Sequence, residues 1–508
     1  MIRRNITAVA LVLLCASTAA AALRRDARAT VPVHPWVLEH TRNGSEASFF
    51  VVLRDRAGLL EARRIPAAPD RRRAVRDALW ATAARSQAPL RSWLAERGIP
   101  HRSYYIVNAI LVHGDRRLVE ELSRRDDVLR IEGNPLVHND LPLLPSSTAL
   151  EASGEPMIPW GIERTRAPEL WALGITGEGI VVGGQDTGVD WTHPALIRQY
   201  RGWDGSTANH DHSWHDAIHD APSNPCGSDT TEPCDDAGHG THTMGTAVGF
   251  DGNTRAIGMA PGARWIACRN MDRGWGSPAR YLECMEWFLA PWPPGGDPSQ
   301  GNSDMAPDVT VNSWTCPASE GCSWDTLREA IEAQRAAGIF TVAAAGNEGP
   351  ACGTVMSPPG LYDAVFTVGA TDAADALAGF SSRGPTTANQ DHPDLIKPDL
   401  VAPGVAIYSA LPGGGYTGIW NGTSMATPHV AGAVALLWSA RPWLTNSIGA
   451  TEELLARGAR PLPEVIENCG GDYTVGPNNS WGHGLLDVVR SWELAAPSPR
   501  RPGGRVVP

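Results

Sequence analysis

From about residue 180 onward the chain alternates between two patterns. Short apolar runs bounded by small residues, such as Val181-Val182-Gly183-Gly184-Gln185-Asp186 and Thr341-Val342-Ala343-Ala344-Ala345, read as strands buried on both faces. Each run ends in a turn with a polar residue, Asp186 in the first and Asn347 after Gly346 in the second. Segments of helical period lie between the runs, one of them beginning at Ser424 and continuing through Val434, Ala435, Leu436 and Leu437. This alternation predicts an α/β fold, a parallel sheet with helices on both faces and polar residues gathered at the strand ends. A smaller α+β unit is predicted upstream, over roughly residues 48–139. Ser48-Phe49-Phe50-Val51-Val52-Leu53 predicts a strand, residues 70–96 a long helix interrupted near Pro89, and residues 104–113 a second strand. A short helix over 116–125 and a third strand over 128–132 complete it.

Chemistry concentrates in four segments. Gly422-Thr423-Ser424-Met425-Ala426-Thr427-Pro428-His429-Val430-Ala431-Gly432 presents one serine at the start of an apolar helix, with Pro428 expected in the first turn, where its missing donor costs little. A serine hydroxyl is a weak nucleophile, so it needs a base, a group to orient that base and donors for the oxyanion. Asp236-Ala237-Gly238-His239-Gly240-Thr241-His242 offers a histidine at a helix start, the first run offers Asp186, and the second offers the amide of Asn347. In the order Asp, His, Asn, Ser, these segments resemble those of the subtilisin-like serine peptidases, the subtilases, over roughly residues 155–495. The resemblance implies a subtilisin-like parallel sheet and a secreted endopeptidase in which Ser424 attacks the scissile carbonyl. His239 would relay the proton, Asp186 would hold the imidazole tautomer, and Asn347 would bind the oxyanion with the Ser424 N–H. A neutral His239 is required, so activity is expected to rise through an imidazole pKa of about 6.5. Asp190, His242 and His429 lie inside the motifs without a task in this mechanism and are expected to be structural. Phe380-Ser381-Ser382-Arg383-Gly384-Pro385 also resembles a subtilase segment and is expected to form a strand and turn.

Shorter matches, among them Asp186-Thr187-Gly188-Val189-Asp190-Trp191-Thr192-His193-Pro194 and Pro477-Asn478-Asn479-Ser480-Trp481-Gly482-His483-Gly484, resemble the bacillopeptidase F-like branch. The family resemblance makes Ser313, Trp314 and Thr315 the cleft-edge strand that pairs with protein or peptide substrates, with Thr315 where the family usually has glycine. Met356 falls on a wall of the primary specificity pocket, again in place of glycine. No cofactor is implied for the chemistry. Structural calcium is a family trait, and Asp251-Gly252-Asn253-Thr254 could contribute oxygens, but Ala195 stands where many members place a calcium-ligating aspartate, so the metal ligands stay unassigned. The stretch 209–236, with His210, His212, His215 and His219 among aspartates, is expected to be a hydrated surface loop, metal binding being the alternative.

The amino terminus is basic, then apolar from Ile6 to Thr18, then small from Ala19 to Ala22, which predicts a signal peptide over 1–22 and no lasting transmembrane segment. Cys15 leaves a lipid-anchored alternative, although Leu14 before it does not suit a lipobox. The other eight cysteines are an even number in an exported chain and point to disulfides rather than zinc, since no CxxC pair occurs. Short loops favour Cys226 with Cys234, Cys268 with Cys284 and Cys316 with Cys322, leaving Cys352 with Cys469 by elimination. Charge divides the chain: the first 140 residues carry 23 arginines against 15 acidic residues, and the remainder 20 basic against 40 acidic. Opposite charges attract, and the order of elements resembles the ferredoxin-like inhibitory propeptide of subtilases. Residues 23–140 are therefore expected to be a propeptide that inhibits its own enzyme, 141–157 a linker with the maturation site, 158–494 a catalytic domain and 495–508 a disordered tail. An acidic catalytic domain argues against nucleic acid, and a monomer is expected. The rival functional reading is a subtilase scaffold turned binding protein, against which the complete set of Asp186, His239, Asn347 and Ser424 argues.

Overall fold

The computed structural model describes residues 30–144, 157–462 and 468–495. The expected signal peptide with Cys15, most of the expected linker and residues 496–508 of the expected tail lie outside them. Unbroken apolar runs in β1 (Ala47–Leu53) arise because the strand is covered twice. Phe49, Val51 and Leu53 point into a core with Leu90, Leu94, Val119 and Leu122. Phe50 and Val52 point the other way, into a cluster shared with the large body. Around β1 the unit builds α1 (Ala68–Glu96), β2 (His101–Tyr104), β3 (Ala109–Gly114), α2 (Arg116–Ser123) and β4 (Val128–Gly133). Its antiparallel sheet has the order β2-β3-β1-β4, and this β-α-β-β-α-β arrangement is ferredoxin-like.

Two expectations about this unit are corrected. Helix α1 runs through Pro89 without interruption. A proline there removes one main-chain bond, but Val75, Leu79 and Ala83 are packed before it against the large body and Leu90 and Leu94 after it in the unit's own core, so burial carries the helix across. The run 104–113 is a hairpin instead of one strand, turning at Tyr105–Asn108 with Asn108 in the left-handed region (φ 46°). Tyr105, Ile106 and Val107 are apolar because they are buried against the large body. After β4 comes β5 (Val137–His138), which pairs with the large body as well.

The large body contains β6 (Val181–Asp186), β7 (Trp214–Asp216), α3 (His239–Val248), β8 (Arg264–Arg269), β9 (Trp275–Gly276) and α4 (Pro278–Leu289). It continues with β10 (Val309–Asn312), α5 (Arg328–Ala337), β11 (Phe340–Ala344), β12 (Phe366–Thr371) and β13 (Leu400–Pro403). A hairpin of β14 (Ile407–Leu411) and β15 (Gly415–Trp420) leads into α6 (Thr423–Ala440). Seven strands form a parallel sheet in the order β13-β12-β11-β10-β6-β8-β7. On one face Val182, Val342 and Val368 pack with Val430, Val434 and Leu437 of α6. On the other, Ala343 packs with Leu282 and Met285 of α4 and Ile331 of α5. Helices cover both faces, as the double-sided apolar runs required.

Four disulfides link Cys226 to Cys234, Cys268 to Cys284, Cys316 to Cys322 and Cys352 to Cys469. Among the described residues no helix is long and apolar enough to cross a membrane. The histidine-rich stretch is a surface loop only in part: much of it is irregular and exposed, but its centre forms the edge strand β7, with His215 Nε2 2.7 Å from the buried Glu283 and Asp216 clamping the buried Arg269 at 2.7–2.9 Å. Buried carboxylates inside the body, which the local sequence does not reveal, draw these residues inward.

Arginines of the small unit meet carboxylates of the large one. Arg72 lies 2.7 Å from Asp308, Arg102 2.6 Å from Glu283, Arg73 3.0 Å from Asp304 and Arg56 2.7 Å from Glu329. The charge asymmetry along the chain is thus expressed as contacts.

Candidate active site

Strand β6 delivers Asp186 to the carboxyl edge of the sheet, beside the start of α3, where His239 is the first residue. The two elements approach closely at glycines. Gly188 has φ 108°, and a Cβ on Gly240 would overlap the Gly188 carbonyl oxygen, so no larger residue fits at that contact. His239 Nδ1 lies 2.8 and 2.9 Å from the two carboxylate oxygens of Asp186, and both side chains are buried. Asp186 Oδ1 also accepts the Thr187 N–H at 2.7 Å, which fixes the carboxylate plane. Burial works against an imidazolium, but the charge and hydrogen bond of Asp186, with help from Asp235, outweigh it and hold His239 above its ordinary value of 6.5.

Asp235, absent from the sequence expectations, ties this arrangement together. Its carboxylate accepts from Thr187 Oγ1 (2.7 Å), Ala237 N (3.1 Å), Gly238 N (2.7 Å), Thr241 N (2.8 Å) and Thr241 Oγ1 (2.6 Å). It thereby links the loop after Asp186 to the turn that precedes His239, while burial pushes its carboxyl up. An aspartate two to three residues ahead of small residues at a helix start is the local signal of such a turn.

Ser424 is the second residue of α6, near the positive end of the helix dipole. Its hydroxyl donates to the Ser313 carbonyl at 3.2 Å; no hydrogen bond to His239 occurs among the described residues. Pro428 is the sixth residue of α6, beyond the expected first turn. Its missing N–H leaves the Ser424 carbonyl without a helical donor, and Ser313 Oγ supplies one at 3.0 Å. Asn347 Oδ1 accepts from Thr423 N (2.9 Å) and Thr423 Oγ1 (3.0 Å), caps the helix start and leaves Nδ2 free to donate. A hypothetical Cβ on Gly422 would lie 3.7 Å from that nitrogen.

The other expected residues divide. His242 and His429 are buried, bonded to the carbonyls of Ile407 and Met425, and desolvation pushes them down to about 3 and about 4, so both are neutral structural groups. Asp190 accepts from Thr192 and from Gly413 N. Trp314 is buried and stacked on Tyr281 with ring centroids 4.0 Å apart. Met356 is half exposed. The 380–385 segment is a loop, not a strand; its Arg383 carbonyl accepts from the N–H groups of Thr354 and Val355. Asp251 accepts from the N–H groups of Asn253, Thr254 and Arg255 and from Thr254 Oγ1, which closes its own turn. Among the described residues no cluster of His, Cys, Asp or Glu suits a metal ion.

Residues 137–144 run across this site. Val137 and His138 pair antiparallel with Gly276 and Trp275, Asp140, Leu141 and Pro142 line a cavity of about 300 Å³ with Asn347 and Ser424, and the Leu143 carbonyl accepts from Trp420 Nε1 at 3.3 Å.

A parallel sheet that carries a buried Asp–His pair at its carboxyl edge, with a serine at the start of a helix packed on one face, is consistent with an α/β serine peptidase. The subtilase family model matches residues 177–484, and the chain belongs to this family of serine-type endopeptidases. It is 37% identical over 400 residues to bacillopeptidase F of Bacillus subtilis (strain 168), covering 76% of this chain but only 26% of that protein. It is 30% identical over 367 residues to subtilisin E of the same organism (72% and 79% of the two chains) and 33% identical over 325 residues to an alkaline protease of Shouchella clausii (63% and 71%). The chain therefore spans about a quarter of bacillopeptidase F and most of the length of the shorter relatives.

Proposed function

We propose that the chain is an exported, self-maturing serine endopeptidase whose amino-terminal unit, roughly residues 23–140, inhibits it until it is cut away. In this reading His239 removes the proton of Ser424 as the hydroxyl attacks the scissile carbonyl, and Asp186 keeps the Nδ1 proton in place and stabilises the imidazolium. The tetrahedral oxyanion is met by Asn347 Nδ2 and the Ser424 N–H, both preorganised at the start of α6. His239 then protonates the leaving amine, and water repeats the sequence on the acyl-enzyme. Catalysis needs no cofactor. The four paired cysteine couples and the signal-like amino terminus support export.

The observation that carries the proposal is the passage of residues 137–144 over Ser424 and Asn347, in β-pairing with the edge at Gly276 and Trp275. An extended segment held this way is both an inhibitor and the first substrate, and the maturation bond is expected near residues 140–142. Buried charge pairs such as Arg72–Asp308 would then hold the cleaved unit in place. The test is the intact mass of protein secreted from full-length genes, wild type beside Ser424→Ala. Loss of the amino-terminal unit in the wild type alone supports the proposal. Retention in both, with no hydrolysis of casein, refutes it.

A further inference from the structure

Main-chain pairing along a cleft edge is blind to sequence, so selectivity must come from side chains. Val137 and Asn139 are two residues apart on one extended segment and share a face. Val137 is fully buried in the apolar cluster that includes Tyr281, Leu282, Met285 and Trp314. Asn139 is only 9% exposed, and its main-chain N–H donates to the Gly274 carbonyl at 2.9 Å. Its side-chain amide is met at both ends: Oδ1 accepts the Thr315 N–H at 2.8 Å, with Thr315 Oγ1 at 3.4 Å, and Nδ2 donates to the Tyr281 hydroxyl at 3.2 Å.

The reading groups are themselves held rigid. The Tyr281 ring lies flat on Trp314 with ring planes 10° apart, it is fully buried, and its hydroxyl comes so close to Gly276 that a Cβ there would collide with it. Thr315, the departure from the family glycine, faces the same amide with its hydroxyl.

We infer that Thr315 and Tyr281 form an amide-reading subsite, so that the cleft selects substrates carrying asparagine at the position of Asn139 and an aliphatic residue at the position of Val137. This rests on the proposed peptidase activity. A leucine of similar size leaves the Thr315 N–H and the Tyr281 hydroxyl buried without partners, and a site built to hydrogen-bond a polar group rejects an analogue that lacks it far more strongly than a greasy pocket rejects a lost methylene. An aspartate keeps an acceptor for Thr315 but has to bring a charge into a nearly closed site.

The experiment uses mature wild-type enzyme and quenched fluorogenic peptides with the sequence of residues 135–144, in the native form and with Asn139→Leu or Asn139→Asp. Cut positions are read by mass spectrometry, and casein serves as a general substrate. The expected result is cleavage at the 140–142 bonds, with kcat/KM lower by about 10-fold or more for the leucine and aspartate peptides. In Tyr281→Phe the ratio of native to leucine peptide should shrink several-fold. Because the ratio is taken within one enzyme preparation, altered overall activity does not disturb it. If the variant does not fold, the wild-type peptide series decides alone. Equal cleavage of the native and leucine peptides by an enzyme that hydrolyses casein, or cleavage at other bonds, overturns the subsite and leaves the peptidase reading standing. No hydrolysis of either casein or peptides overturns both.

Discussion

Replacing Asp186 by asparagine tests the assigned chemistry at one atom. In the structure Oδ1 accepts the Thr187 N–H at 2.7 Å, while both oxygens lie within 2.9 Å of His239 Nδ1. An amide at this position has to keep its oxygen where Thr187 donates, because turning it over would set two N–H groups against each other in a buried site. The amide nitrogen then faces His239 Nδ1 and donates to it. The imidazole is forced into the tautomer with its proton on Nε2, where it cannot receive the proton of Ser424. The shape of the site is unchanged and the base is lost, a defect worth about 10,000-fold in kcat, or about 5.4 kcal/mol of transition-state stabilisation. Self-processing supplies a single-turnover assay: the first-order loss of the amino-terminal unit, followed by intact mass, should slow by that factor at pH 8. Circular dichroism should match the wild type. A variant that processes within 10-fold of the wild-type rate would refute both the tautomer argument and the assignment of His239 as base.

Three further outcomes are expected. Because Asp186 and Asp235 hold His239 above its ordinary value despite burial, kcat/KM should be low while His239 is protonated and rise with pH through an inflection above 6.5, as a pH–rate profile on a peptide substrate will measure. In Arg72→Ala the buried Asp308 loses its cation, so inhibition by the processed but undetached unit should weaken by roughly 2–5 kcal/mol, about 30- to 5000-fold, in dilution assays of latent activity. By the loop-closure estimate, removing the Cys352–Cys469 link, which spans 117 residues, should cost about 5 kcal/mol, against about 2 for Cys316–Cys322, which spans 6. Comparison of denaturant midpoints for the paired serine variants checks this, and equal losses would contradict the loop-length argument.

What the sequence determined by itself was local and repetitive. Short apolar runs such as 181–186 and 341–345 read as strands covered on both faces, and such strands require helices on either side of a parallel sheet. The segments that carry Asp186, His239, Asn347 and Ser424 stood out in the sequence because acyl transfer, the chemistry proposed for them, demands particular side chains at strand ends and helix starts, which short motifs record. Three of the four cysteine pairs followed from short separations, since brief loops leave few alternatives. Only the tertiary structure decided the rest, because it depends on groups far apart along the chain. The run 104–113 was misread because Tyr105 and Ile106 are buried against another unit, and apolar character does not say which surface does the burying. The helix passed Pro89 because packing on both sides outweighed one lost hydrogen bond. His215 turned inward toward Glu283, 68 residues away, and Asn139 met Tyr281, 142 residues away. Hydrogen bonds and charge pairs at such separations leave no periodic trace, so their partners emerge only when the sheet brings the chain together.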